Sequence, residues 1–113
     1  MLKQEVINKI TKTSISLDEY GISDLAWNKE SVKILLHEIM NEEIGVLGGD
    51  VYKLTPTGLT VLSDNWSCEP NDRATSEEYY IRSKLASLKY VENYQVESGE
   101  EILFSMTFTD KIK

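Results

Sequence analysis

The sequence predicts an α+β fold, a small antiparallel sheet of three strands, or of four, with helices packed on it in the order α-α-β-β-α-β. Residues 46–54 and 59–67 favour strands and flank residues 55–58 (Thr-Pro-Thr-Gly), which are typical of a tight turn. Apolar residues on both sides of this hairpin recur at helical spacing, as in helices that cover a sheet. Residues 102–109 alternate between their two faces, which indicates a last strand. At this length we expect residues 1–113 to form a single domain.

The elements before the hairpin are predicted from periodicity and capping. One helical stripe indicates a short first helix that ends near Thr13, and its apolar members are Leu2, Val6, Ile7 and Ile10. A turn at residues 20–22 and a brief strand at residues 25–27 follow. Asn28 is a typical N-cap for a second helix, and Gly45 is expected to end that helix as a C-cap.

The hairpin contains the densest glycine cluster of the chain. Gly48 and Gly49 lie inside the first strand, which predicts a bulge or the close approach of another backbone. We expect Gly48, Gly49, Asp50 and Tyr52 to have structural roles. Trp66, near the end of the return strand, is either a core anchor or an exposed recognition residue.

A third helix is predicted from about Glu77 to Tyr94, with Thr75 or Ser76 as its cap. Its expected core stripe is Ile81, Leu85, Leu88 and Val91. A second stripe combines two tyrosines with two small residues, Tyr79, Ser83, Ala86 and Tyr90. This second stripe is either covered by the N-terminal helix or presented to a partner.

The charge of the chain restricts its partners. There are 19 acidic and 12 basic residues, for a net charge of −7. Such a surface repels nucleic acid, whose binding depends on Lys and Arg, and attracts basic proteins. The alternative is that the acidity only keeps a small protein soluble. The N-terminus lacks the apolar core of a signal peptide, and no apolar run is long enough to span a membrane, so we expect a cytoplasmic protein without a membrane partner.

The residue types needed for catalysis or metal binding are sparse. The single histidine, His37, lies on a polar helix face, and the single cysteine, Cys68, lies beside an acidic loop. Two such ligands are too few for a zinc site. The glycine-rich stretch 45–50 lacks the Gly-Lys-Ser/Thr ending of a phosphate-binding loop. We therefore expect no catalytic residues, no metal and no cofactor.

The hairpin and the residues after it resemble the immunity protein 40 family of bacterial polymorphic toxin systems. The similarity extends over roughly Gly21 to Phe108. Its motifs are Val46-Leu47-Gly48-Gly49-Asp50-Val51-Tyr52, then Asp64-Asn65-Trp66 with Cys68, then Glu77-Glu78-Tyr79 with Arg82-Ser83, and the closing Leu103-Phe104. The resemblance implies a cytoplasmic, non-enzymatic protein that binds and neutralises a cognate toxin domain. It brings no toxin-binding residues that could be transferred to this chain.

Three hypotheses for function remain at this point. In the first, a basic toxin domain binds an acidic patch anchored by two aromatic residues, and the contact consists of Asp64, Trp66, Glu69, Asp72, Glu77, Glu78 and Tyr79. In the second, the chain is a non-catalytic regulatory or adaptor domain that binds another basic protein. In the third, it is an enzyme that uses Asp50 and Asp64, which requires both carboxylates in a cleft. The oligomeric state is left open.

Overall fold

A computed structural model describes residues 3–70 and 75–110. The helices of these residues are α1 (Gln4–Lys12), α2 (Lys29–Glu38) and α3 (Ser76–Asn93), with a 3-10 turn at Asp18–Tyr20. The strands are β1 (Ile15–Ser16), β2 (Leu25–Asn28), β3 (Val46–Thr55), β4 (Gly58–Ser67), β5 (Glu101–Ser105) and β6 (Thr107–Phe108). The predicted α+β class and the hairpin are thus confirmed.

The sheet is larger than predicted. Within the described part of the chain it has six antiparallel strands in the order β1-β2-β5-β3-β4, and β6 also pairs with β3. The additional strand β1 contains two residues, too few for an alternating pattern to show in the sequence, and β6 is the end of the predicted last strand, which is interrupted at Met106. Long strands were predictable because their side-chain period repeats several times.

The main core lies between the helices and one face of the sheet. It contains buried residues from α1, α2 and α3 together with Ile102, Phe104, Met106 and Phe108. The other face of the sheet has a smaller cluster of Leu17, Ala26, Tyr52 and Leu103. The two faces predicted for the last strand are therefore confirmed, because alternate residues of β5 enter the two clusters.

The predicted N-caps are present, but the predicted end of α2 is wrong. The backbone N–H of Ser31 donates to Asn28 Oδ1 at 2.8 Å, and that of Glu78 donates to Thr75 Oγ1 at 3.1 Å. Helix α2 ends at Glu38, with Ile39 as its C-cap, well before Gly45. Turns after Ile39 and a lysine from α3, described below, satisfy the carbonyl groups that a glycine cap was expected to satisfy.

Gly48 and Gly49 in β3 were predicted to mark a bulge or the close approach of another backbone, and the structure has both. The register of β3 against β6 shifts between the pairs Val46–Phe108 and Gly48–Thr107, so that Leu47, directly before the glycine pair, is an extra residue in β3. A second shift, between the pairs Asp50–Asn65 and Tyr52–Val61, lies beyond the glycine pair, and there the extra residues are in β4. A Cβ atom on Gly49 would overlap with the carbonyl oxygen of Ser105 and with the indole ring of a neighbouring tryptophan. Glycine is required there because another backbone comes that close.

The predicted core stripe of α3 is only half correct. Leu88 and Val91 are buried, whereas Ile81 is 45% and Leu85 is 51% exposed. The rest of the buried face is formed by Tyr79, Ser83, Lys84 and Ser87. Small serine side chains let α3 approach the hairpin closely, and the polar groups of this face find hydrogen-bond partners in other elements.

Candidate partner-binding surface

The two aromatic residues predicted as partner anchors lie mostly inside the protein. Trp66 is partly buried, its Nε1 donates to Ser87 Oγ at 2.9 Å, and its ring stacks on Tyr90 at a centroid distance of 4.8 Å. Tyr79 is 4% exposed, and its hydroxyl donates to the carbonyl of Cys68 at 2.6 Å. Tyr79 therefore presents almost no surface to a partner in this structure. Trp66 is held against α3 by its hydrogen bond to Ser87 and its stacking on Tyr90.

The predicted acidic residues do not form one patch. Glu69, Glu77 and Glu78 are exposed near the N-terminal end of α3. Asp64 lies near the other end, because it accepts a 2.6 Å hydrogen bond from the hydroxyl of Tyr94, the C-cap of α3. Tyr94 is about 24 Å from Glu78 along the helix axis. Asp72 lies outside the described residues.

Arg82 holds Glu69 beside α3. Its guanidinium nitrogens lie 3.3 Å from Cys68 Sγ and 3.1 Å from the carbonyl oxygen of Glu69, and its Cζ lies 5.3 Å from the ring centroid of Tyr79. Cys68 itself is buried and free. These contacts fix the end of β4 against the first turns of α3, which keeps the carboxylates at this end of the helix on a defined surface.

A groove at the same end of α3 adds acidic residues that the sequence analysis did not select. Two adjoining hollows of about 370 Å³ and 190 Å³ share Asn41, Glu42, Glu43 and Tyr80. Glu77 lines the smaller hollow, and Asp110 lines the larger one together with Lys3. We call this surface the acidic groove, defined by Glu42, Glu43, Tyr80, Glu77 and Asp110. Glu42 and Glu43 gain this position because the chain turns after α2.

A buried lysine holds the backbone turn of the acidic groove in place. The side chain of Lys84 has no exposed surface, and its Nζ donates to the carbonyl oxygens of Ile39 at 2.8 Å and Glu42 at 2.7 Å. Burial lowers the pKa of Lys84 to about 8, although the carboxylate of Glu42 acts in the opposite direction. Lys84 thereby fixes the turn that carries Glu42. Nothing in the spacing of the sequence indicated this role.

A second groove follows the side of α3 that faces β4. We call it the tyrosine groove; its volume is about 420 Å³ and it is lined by Ala86, Lys89, Tyr90, Asn93 and Tyr94. Burial and the hydrogen bond to Asp64 raise the pKa of Tyr94 to about 12. Of the second stripe predicted in the sequence, Tyr79 and Ser83 are buried, whereas Ala86 and Tyr90 line this groove.

The structure gives no support to the enzyme hypothesis. Asp50 and Asp64 are both exposed, so they lack the enclosed cleft that acid–base catalysis by a carboxylate pair requires. Among the described residues, His37 is exposed on α2, and no group of three His, Cys, Asp or Glu side chains could hold a metal ion. No helix within residues 3–70 and 75–110 is long and apolar enough to cross a membrane.

Exposed carboxylates and an acidic groove can attract and orient a positively charged partner. The chain belongs to the immunity protein 40 family, whose sequence model matches residues 16–108. Membership of this family implies that it is an immunity protein. No curated protein and no solved structure matches the chain.

Proposed function

We propose that this protein neutralises a cognate bacterial toxin domain in the cytoplasm by stoichiometric binding that is assisted by charge. The observation that carries the proposal is the match of the immunity protein 40 family to residues 16–108. The net charge of −7 supports a basic partner, because a negative surface accelerates and orients the association of a positive one.

The acidic groove is the proposed centre of the contact. Glu43 and Glu77 line it, and Lys84 holds the turn that carries Glu42 in place. A rigid surface of this kind loses little entropy on binding. Glu69, Asp72 and Glu78 extend the proposed contact, and Asp64 contributes to it from the far end of α3. The toxin would thus meet carboxylates near both ends of α3.

Affinity capture from the native organism tests the proposed function. The protein is used as bait, and the captured material is washed first at low and then at high salt. We expect one dominant partner, a large protein that ends in a basic domain, and this domain should kill cells when it is produced alone. Release by high salt is expected because salt screens exposed charges. Capture of a housekeeping protein instead would favour the adaptor hypothesis. Capture of no partner would contradict the proposal that the protein binds a toxin domain.

Charge reversal tests the location of the contact. The double variant Glu43→Lys/Glu77→Lys should weaken binding of the captured toxin domain at least about tenfold, since it places two cations in the acidic groove. Glu19→Lys/Glu30→Lys is the matched control, because both residues are exposed, line neither groove, and change the net charge equally. Equal loss in the two double variants would show that only the total charge matters. Unchanged affinity in both would exclude the acidic groove.

A further inference from the structure

We infer that the tyrosine groove binds an arginine side chain of the toxin domain, a step that rests on the proposed function. The groove is open at the exposed residues Ala86, Lys89 and Asn93 of α3. Its walls are the partly buried rings of Tyr90 and Tyr94. The carboxylate of Asp64 does not line the groove, but it is hydrogen-bonded to the hydroxyl of its wall residue Tyr94.

The aromatic walls are held in place before any partner arrives. Trp66 covers one face of Tyr90 at an interplanar angle of 26°, and the rest of the Tyr90 ring lines the groove. Phe104 packs edge-on against Tyr94, with ring centroids 5.5 Å apart. Aromatic side chains that are already ordered add contact area at low entropic cost, which is why they often dominate protein interfaces.

The carboxylate determines which side chain fits. Asp64 is exposed and accepts one hydrogen bond from Tyr94 through Oδ2, whereas an ionised carboxylate has about four acceptor positions. A guanidinium group is planar, so it can stack on a tyrosine ring while it donates two hydrogen bonds to a carboxylate. Arginine therefore uses both features of the tyrosine groove, whereas an apolar side chain would use only the rings.

The net charge favours a toxin domain over a second copy of this chain as the occupant of the tyrosine groove. Each copy carries a charge of −7, so two copies repel each other, whereas a basic domain is attracted. Lys89 lines the groove and carries the same sign of charge as the proposed guanidinium. The charge at this position should therefore weaken binding of the occupant, which provides a direct test.

The test with the captured toxin domain compares Lys89→Glu with Lys12→Glu. Lys12 is exposed at the end of α1, so both variants change the net charge equally and differ in position. We expect Lys89→Glu to bind the toxin domain at least about fivefold more tightly than Lys12→Glu, an effect of the size of one ion pair. Equal affinities, or weaker binding by Lys89→Glu, would overturn the inference. Asp64→Asn should weaken binding about fivefold compared with Asp50→Asn, which removes an exposed carboxylate outside the groove.

A second test does not need the toxin. Nuclear magnetic resonance spectra are recorded while N-acetyl-arginine amide, or its uncharged isostere N-acetyl-citrulline amide, is added at millimolar concentrations and equal ionic strength. We expect arginine alone to shift the indole N–H of Trp66 and the backbone amides of Tyr90 and Tyr94. The shifts should fall at least about threefold in Asp64→Asn. Equal shifts with both amides, or no localised shifts, would overturn the arginine assignment.

The two tests distinguish failure of the inference from failure of the proposed function. If no toxin is captured but the arginine amide binds, the proposed function fails, whereas the tyrosine groove is still a binding site for a guanidinium group. If a toxin is captured but Lys89→Glu behaves like Lys12→Glu, only the inference about the tyrosine groove fails.

Discussion

The indole Nε1 of Trp66 donates a 2.9 Å hydrogen bond to Oγ of Ser87, which joins the edge strand β4 to the longest helix. Ser87 is fully buried and in turn donates to the carbonyl oxygen of Ser83. A residue that could have served as a partner anchor is thus part of the scaffold. The variants below separate such structural contacts from the proposed binding surfaces.

The bond between Trp66 and Ser87 predicts a measurable coupling. Trp66→Phe removes the donor, and Ser87→Ala leaves the indole N–H without its partner, which costs about 1–3 kcal/mol. In a double-mutant cycle measured by urea unfolding, the coupling energy should be about 1 kcal/mol. Strictly additive losses would show that the hydrogen bond contributes nothing to stability.

Lys84→Met should destabilise the protein by about 1–3 kcal/mol, because two carbonyl groups of the turn after α2 lose their donor. The difference in unfolding free energy between the wild type and Lys84→Met also depends on pH. The pKa of Lys84 is lowered to about 8 in the folded protein and stays near 10.5 in the unfolded chain, so unfolding takes up a proton between these values. The unfolding free energy of the wild type should therefore rise relative to Lys84→Met as pH increases from 8 toward 10.5. Parallel pH profiles of the two proteins would contradict the lowered pKa.

Gly49→Ala should cost about 3 kcal/mol, since the added methyl group overlaps with the backbone carbonyl of Ser105 and with the ring of Trp66. Thermal and urea unfolding measure the loss. The double variant Gly49→Ala/Trp66→Leu identifies the clash that matters. If it is no less stable than Trp66→Leu alone, the indole was the obstacle, whereas the structure predicts a further loss because the carbonyl of Ser105 remains.

Tyr94 should titrate later than an ordinary tyrosine. Burial and the carboxylate of Asp64 raise its pKa to about 12, so its neutral form is favoured in the folded state. This contribution to stability is complete below the unfolded pKa of 10.0 and is lost as pH rises toward 12. Burial also raises the pKa values of Tyr20, Tyr52, Tyr79 and Tyr90, so several tyrosines titrate late. The late part of an ultraviolet titration of tyrosinate should therefore lose the amplitude of one tyrosine in Tyr94→Phe, and that amplitude should move to lower pH in Asp64→Asn. A transition that is unchanged in Asp64→Asn would show that the carboxylate has no influence.

Much of the fold was predictable because each element repeats its own pattern. Strong alternation located β5, Pro56 and Gly58 located the hairpin turn, and Asn28 marked the start of α2. The two-residue strand β1 was missed because it contains no repeat, and the predicted last strand is divided into β5 and β6. The candidate site was predicted less well. Tyr79 and Trp66 were recognised as important, but spacing and residue type alone could not decide between core and surface for either residue.

The sequence by itself determined the α+β class, the hairpin, the acidic charge and the family resemblance, because each of these depends on residue type and local spacing. Only the tertiary structure decided which faces meet. It buried Lys84 against Glu42, turned Ile81 and Leu85 outward, and placed Asp64 at the opposite end of α3 from Glu77. Periodicity states which residues share one face of a helix or strand, but the neighbour of that face is a residue distant in the chain. That choice is made by the packing of all the elements together.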